Sequence, residues 1–136
     1  MTILFSAHGL PQKFIDEGDP YVEHTHRTVQ GILDRIAVPN PHTIAFQSRT
    51  GPVTWIGPGT EDVLRDLGRR GVKEVLMVPV SFVSDHIETL YEVDQLFRED
   101  AIRSGIVDYR RSEALNTHPL YIEALAELVG RQLVTT

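Results

Sequence analysis

Four short apolar runs, at residues 3–7, 43–47, 75–78 and 106–109, alternate with stretches whose apolar residues recur every three or four positions. No other feature restricts the fold as much. Strands and helices alternating at this length form βα units, and their crossovers are right-handed, so the strands lie parallel in one sheet with helices on both faces. The first helical stretch carries Val22, Val29, Ile32, Leu33 and Ile36 and is stopped by Pro39 and Pro41. In the second, Thr60 is a candidate N-cap, Glu61 and Asp62 occupy the first turn, and Gly71 marks the stop. A third is predicted from Asp85 or Ser84 as cap to about Arg103. A fourth follows Asn116 or Thr117 as cap, with Pro119 in its first turn and Leu120, Ala124, Leu125, Leu128 and Val129 as its stripe. The expectation is an α/β, doubly wound single domain over 1–136, with a four-stranded parallel sheet in the order 2-1-3-4 and one amphipathic helix per strand. Ligands of such sheets bind beyond the carboxyl ends of the strands, so the loops beginning at Ser6, Gln47, Pro79 and Arg110 share one rim.

Composition adds exclusions. Zero cysteines rule out disulfides and thiolate metal sites, so a metal would be held by His, carboxylate or carbonyl. A formal net charge of −6 opposes general nucleic-acid binding, which calls for a basic surface. Pro79, Ser81, Ser84 and Asp85 interrupt the most apolar segment, and no run reaches the roughly 20 residues that cross a bilayer. The opening Met1-Thr2-Ile3-Leu4-Phe5 has neither a basic start nor a small-residue cleavage site, so no signal peptide is expected and the chain is read as soluble and cytoplasmic.

Two strand ends carry the strongest polar groups: His8, followed by the breakers Gly9 and Pro11, and Asp85-His86-Ile87-Glu88 after the third strand. Neutral imidazole suits first-row transition metals and titrates near neutral pH, while a carboxylate ligates a metal or accepts a proton. A facing His8 and Glu88 could do either, and spacing alone also admits a hydrogen-bonded structural histidine.

Whole motifs say more. Leu4-Phe5-Ser6-Ala7-His8-Gly9-Leu10-Pro11 with Gly18-Asp19-Pro20-Tyr21 resembles the ferrochelatase signature. Further matches come in family order: Phe46-Gln47-Ser48-Arg49-Thr50-Gly51-Pro52 with Trp55-Ile56-Gly57-Pro58, Phe82-Val83-Ser84-Asp85-His86-Ile87-Glu88-Thr89-Leu90, and Glu113-Ala114-Leu115-Asn116 before His118-Pro119-Leu120. The resemblance runs from Ile3 to about Leu133 and corresponds to the second half of the family's usual length. It implies a chelatase-like domain with flavodoxin-type strand order that inserts ferrous iron into a porphyrin, protoporphyrin or coproporphyrin, in haem biosynthesis. By the same resemblance His8 is the active-site histidine, a proton acceptor or an iron ligand, and Glu88 faces it across the cleft. Asp85 and His86 support them, Asp85 by holding His8 or the helix start through a hydrogen bond. Ser48 and Trp55 belong to the porphyrin cleft wall, and His8, Glu88 and Glu92 handle the metal. Asp85, Glu88, Glu92, Gln95 and Glu99 recur at spacings of three or four as one polar ridge, either an ordinary solvated face or a path for metal or protons on a helix that relatives widen locally.

The chain also departs from its relatives. Leu96 stands where many place a further carboxylate, so any outer metal site is incomplete or borrows Gln95 or Glu99, and without cysteines no thiolate-bound iron–sulfur cluster is expected. Fe²⁺ is therefore expected as substrate, with no permanently bound cofactor. The expected partners are porphyrin, ferrous iron and a missing amino-terminal half or a second copy; membrane contact would come only through a full enzyme, and no nucleic acid is expected. A stand-alone tetrapyrrole- or metal-binding module and a half-size homodimeric chelatase, as the short cobalt chelatases are, remain the alternatives. Leu10, Trp55 and Ile56 are the expected exposed apolar residues of an open half-cleft, and weak self-association is expected through the face bearing His8 and Glu88.

Overall fold

A computed structural model describes residues 1–133, so the last three residues of the expected 1–136 domain lie outside the described residues. The strands are β1 (Thr2–His8), β2 (His42–Gln47), β3 (Glu74–Pro79) and β4 (Asp108–Arg111), all parallel, in the order β2-β1-β3-β4. The helices are α1 (Gln12–Asp16), α2 (Tyr21–Ile36), α3 (Thr60–Arg69), α4 (Arg98–Arg103) and α5 (Pro119–Leu133), and a π-helical segment, Glu88–Phe97, runs straight into α4. The α/β architecture and strand order agree with the sequence reading. β1 is central and apolar on both faces, as a strand between two helical layers must be. Leu4 joins Leu64 and Leu67 of α3, Val93 and Phe97 of the π segment and Ala101 of α4 in the larger core, while Ile3 and Phe5 pack with Val29 of α2 on the opposite face.

Several element ends differ from expectation. Thr60 is the first residue of α3 and Gly59 its cap; the Thr60 hydroxyl is fully buried and bonds Ser6 Oγ at 2.9 Å instead. Neither Ser84 nor Asp85 caps the third helical stretch, which begins at Glu88 without a side-chain cap. β4 starts two residues later than expected: Ile106 is drawn into the core, Val107 points to solvent, and the ladder opens where Asp108 pairs with Glu74. At α5 the Leu120 N–H is taken by His118 Nδ1 at 3.3 Å, so His118, rather than Asn116 or Thr117, is the capping side chain. The short α1 was not foreseen.

The largest departure is α5, none of whose residues is buried. The expectation of one packed helix per strand is not met here. On β4, Tyr109 turns into the larger core, which leaves Asp108 and Arg110 on the opposite face, where they pair with each other (Nε to Oδ1, 2.9 Å). An ion pair offers no apolar bed for a helix, because docking would strip both charges of water. Leu76 and Val78 of β3 are half-buried, Val78 against the Ile3, Phe5 and Val29 cluster.

Candidate functional site

β1 delivers His8 to the carboxyl rim of the sheet, and the turn around it is fixed by its own backbone. The His8 N–H donates to Ser81 Oγ at 2.7 Å, and its carbonyl accepts the Tyr21 hydroxyl at 2.8 Å. Burial raises the Tyr21 phenol above its ordinary value, which keeps it a donor. Asp19 accepts the Tyr21 N–H at 2.9 Å, so the Gly-Asp-Pro-Tyr turn starts α2 as expected. Gly9 follows His8 because a Cβ there would lie 2.8 Å from the Gln47 carbonyl and 3.4 Å from the Trp55 ring.

The imidazole is left with an open demand. His8 Nδ1 is buried and has no hydrogen-bond partner, while Glu88 Oε2 stands 3.6 Å away, too far for a direct bond. Phe82 meets the His8 ring edge-on at 6.1 Å and the His86 ring at 5.0 Å, standing between the two histidines. His86 Nδ1 accepts the Glu88 N–H at 3.2 Å, so a neutral His86 carries its proton on Nε2. Glu88 and Glu92 line a groove of about 330 Å³ with Ser48, Ile87, Tyr91 and Leu96, whose exposed surface is mostly apolar. Among the described residues no three His, Asp or Glu side chains converge at ligand spacing; what the rim offers a cation is Glu88 Oε2 opposite His8 Nδ1 at 3.6 Å, with His86 Nδ1 at 4.0 Å on its other side.

The Ferrochelatase family model matches residues 1–133. This chain belongs to the ferrochelatase family. It is 56% identical to the ferrochelatase of Geotalea uraniireducens over 96% of its own length and 41% of that protein. Its identity to the ferrochelatase of Gloeothece citriformis is 52%, over 96% of this chain and 34% of the relative. The chain thus spans between a third and two fifths of the curated ferrochelatases it matches, and corresponds to their carboxy-terminal region. Among solved structures, a protein from Marinobacter aquaeolei VT8 assigned to cobalamin (vitamin B12) biosynthesis as CbiX has a TM-score of 0.65 at 16% identity, covering 99% of this chain and 98% of that one. At that identity the likeness concerns the fold.

Not every residue singled out by the ferrochelatase motifs gathers at the pair. Glu92 is turned to β2: its Oε1 accepts the Ser48 N–H at 2.7 Å, and its Oε2 accepts Ser48 Oγ at 2.5 Å and Gln47 Nε2 at 3.2 Å. Ser48 makes both bonds because its φ of 61° is left-handed. Behind it, Gln47 Oε1 accepts Ser6 Oγ at 2.7 Å, which continues to Thr60. Asp85 does not reach His8; it bonds Asn116, Arg111 and Thr89, and of its two expected roles it serves the helix start. Trp55 Nε1 donates to Thr50 O, and the ring packs over Gly9 beside His8. The expected ridge is broken up by the π winding and by partners, since Glu92 is held by Ser48 and Glu99 pairs with Arg103. Ile56 is only 3% exposed and Leu10 and Trp55 are half-buried, so the open apolar residues beside the pair are instead Ile87, Leu90 and Tyr91. Sequence reasoning overlooked Ser81, Phe82, Gln47, Arg111 and Asn116 as parts of the site. The rule that parallel strand ends share one rim placed Gln47 on that rim without giving it a role, and began the last rim loop at Arg110, one residue short of Arg111, which closes β4.

Among the described residues, no helix is long and apolar enough to cross a membrane.

Proposed function

We propose that this chain is the carboxy-terminal domain of a cytoplasmic ferrochelatase, which inserts Fe²⁺ into a porphyrin in haem biosynthesis and works with a second wall that residues 1–133 do not supply. The observation that carries this reading is the unpartnered His8 Nδ1 facing Glu88 Oε2 across 3.6 Å. Metallation exchanges two pyrrole N–H protons for one cation, so the site must accept two protons and hold a metal only in passing. An imidazole and a carboxylate can each accept one proton, and two such ligands bind ferrous iron far less firmly than a closed cage. The gap between them suits an ion or a proton in transit better than a permanent salt bridge. Trp55, Ile87 and Tyr91 supply apolar contact for one side of the macrocycle, with Ser48 at the edge of the groove, and the other side needs a partner surface. Glu92 serves the metal only after release from Ser48. A half-size homodimeric chelatase, in which a second copy supplies the other wall, is the second reading. In both readings Fe²⁺ is a substrate.

The test is anaerobic metallation with the full-length protein. His8→Ala should abolish insertion in a folded variant, because a rim imidazole contributes little to the core. Glu88→Gln should lower kcat much more than porphyrin affinity. Near-normal rates in both would overturn the assignment, and robust turnover by residues 1–136 alone would favour the homodimer.

A further inference from the structure

The loop that carries His86 and Glu88 is held from outside the site. Asn116, just before α5, donates its N–H to Val83 O at 2.8 Å, accepts the Asp85 N–H on Oδ1 at 2.9 Å and donates Nδ2 to Asp85 Oδ2 at 3.0 Å. Its φ of 46° is left-handed, which lets one residue turn both backbone and side chain onto the same loop, and asparagine tolerates that conformation better than most residues. Arg111, at the end of β4, completes the hold. Its Nη1 lies 3.1 Å from Asp85 Oδ1, and its Nε and Nη2 grip Asp94 of the π segment at 2.7 and 2.9 Å. Asp85 Oδ1 also accepts the buried Thr89 hydroxyl at 3.3 Å, and the His86 N–H donates to that hydroxyl at 3.0 Å. The loop between β3 and the π segment is therefore tied at Val83, Asp85 and His86, and the π segment at Thr89 and Asp94. Glu88 sits between these ties, and its carboxylate has no strong partner of its own.

From this arrangement we propose that Asn116 and Arg111 are positioning residues that set the Glu88 carboxylate opposite His8. The proposal rests on the ferrochelatase reading for its kinetic consequence and on geometry alone for its structural one. Neither residue touches the pair, so Asn116 acts through Asp85, and Arg111 through Asp85 and Asp94. A carboxylate misplaced by an ångström or so loses a large part of its contribution to turnover, whereas substrate binding over a wide apolar surface is little affected. Arg111 cannot be exchanged for lysine without loss, because only the planar fork spans Asp94 and reaches Asp85 together.

The test uses Asn116→Gly, which keeps the left-handed backbone and removes only the side chain, together with Arg111→Lys, in the full-length protein. The expected result is a kcat for ferrous insertion lower by about tenfold to a hundredfold with KM for porphyrin within about twofold, and a melting temperature close to that of the parent. Amide hydrogen exchange at residues 85–88 should speed up at least about tenfold while β1 and α2 keep their protection. If His8→Ala abolishes turnover but Asn116→Gly leaves kcat unchanged, the positioning proposal fails and the ferrochelatase reading stands. If His8→Ala is active, that reading fails, and exchange at residues 85–88 then decides the structural proposal: faster exchange supports it and unchanged exchange overturns it. A KM that rises together with kcat loss also overturns it.

Discussion

Asp85 shows how one carboxylate can anchor a loop without joining the chemistry. The Asn116 amide, followed by the Arg111 charge and the Thr89 hydroxyl, holds its carboxyl below the ordinary value of 3.8 against the opposing effect of desolvation. A depressed value in the folded chain means that the ionised form stabilises the fold. That contribution is complete above the ordinary carboxylate range and is lost only as pH falls through the lowered value. The backbone signals of residues 83–88 should therefore persist as the pH falls through 3.8 and be lost only at the lower pH where Asp85 itself takes up a proton, and Asp85→Asn should remove this acid limb. Loop signals lost already above 3.8 would contradict the assignment. His8 was legible in sequence because a buried strand running into Gly9 and Pro11 can only end at a rim. The bonding of Asp85 was not, since its partner Asn116 lies 31 residues away and Arg111 closes a different strand. For Glu92, helical spacing gave the face but not the left-handed Ser48 that claims both of its oxygens.

At the scale of elements, the three strands with buried apolar runs were readable to within one residue at each end, whereas β4 is displaced by two. Ile106 and Val107 look like strand residues, yet both precede the ladder, because Lys73 O takes the N–H groups of Val107 and Asp108 and delays pairing with β3. The π segment could not be read from apolar spacing, which does not distinguish its winding from that of an α-helix; only the resemblance to relatives that widen this helix locally pointed to it. Packing between α3 and α4 is closest at Gly68, where an added Cβ would fall 2.2 Å from the Ser104 carbonyl oxygen and 2.6 Å from the Ser104 Cβ. Both are parts of a chain segment with little freedom to move. Gly68→Ala should therefore destabilise the domain by about 1–3 kcal/mol in denaturant titration, despite the better helix propensity of alanine. Gly130→Ala is the control: nothing lies within 4 Å of its Cβ position in α5, and it should be neutral or slightly stabilising. Equal effects at the two positions would show that the α3–α4 contact is looser than described.

Across the whole molecule, the sheet is covered on one face by α3, the π segment and α4, and on the other by α2 over β1 and β2, while α5 stands apart. Leu120, Ile122, Leu125, Leu128, Val129 and Leu133 remain 42–71% exposed along it. An apolar surface of that kind marks an interaction site in a stable protein. Residues 1–136 on their own should therefore self-associate through α5 rather than through the His8–Glu88 face. Light scattering should detect dimers or larger species, and Leu125→Glu with Leu128→Glu should restore the monomer; a monomer at high concentration before any substitution would contradict this. The helical stripe itself was plain in the sequence, but whether its own sheet could receive it depended on which way Asp108 and Arg110 faced. That orientation keeps the outer face of β4 wet. Asp108→Val with Arg110→Val should give β4 a dry outer surface beside Leu76 and slow amide exchange along residues 119–133; unchanged exchange there would show that α5 needs more than a dry strand to settle.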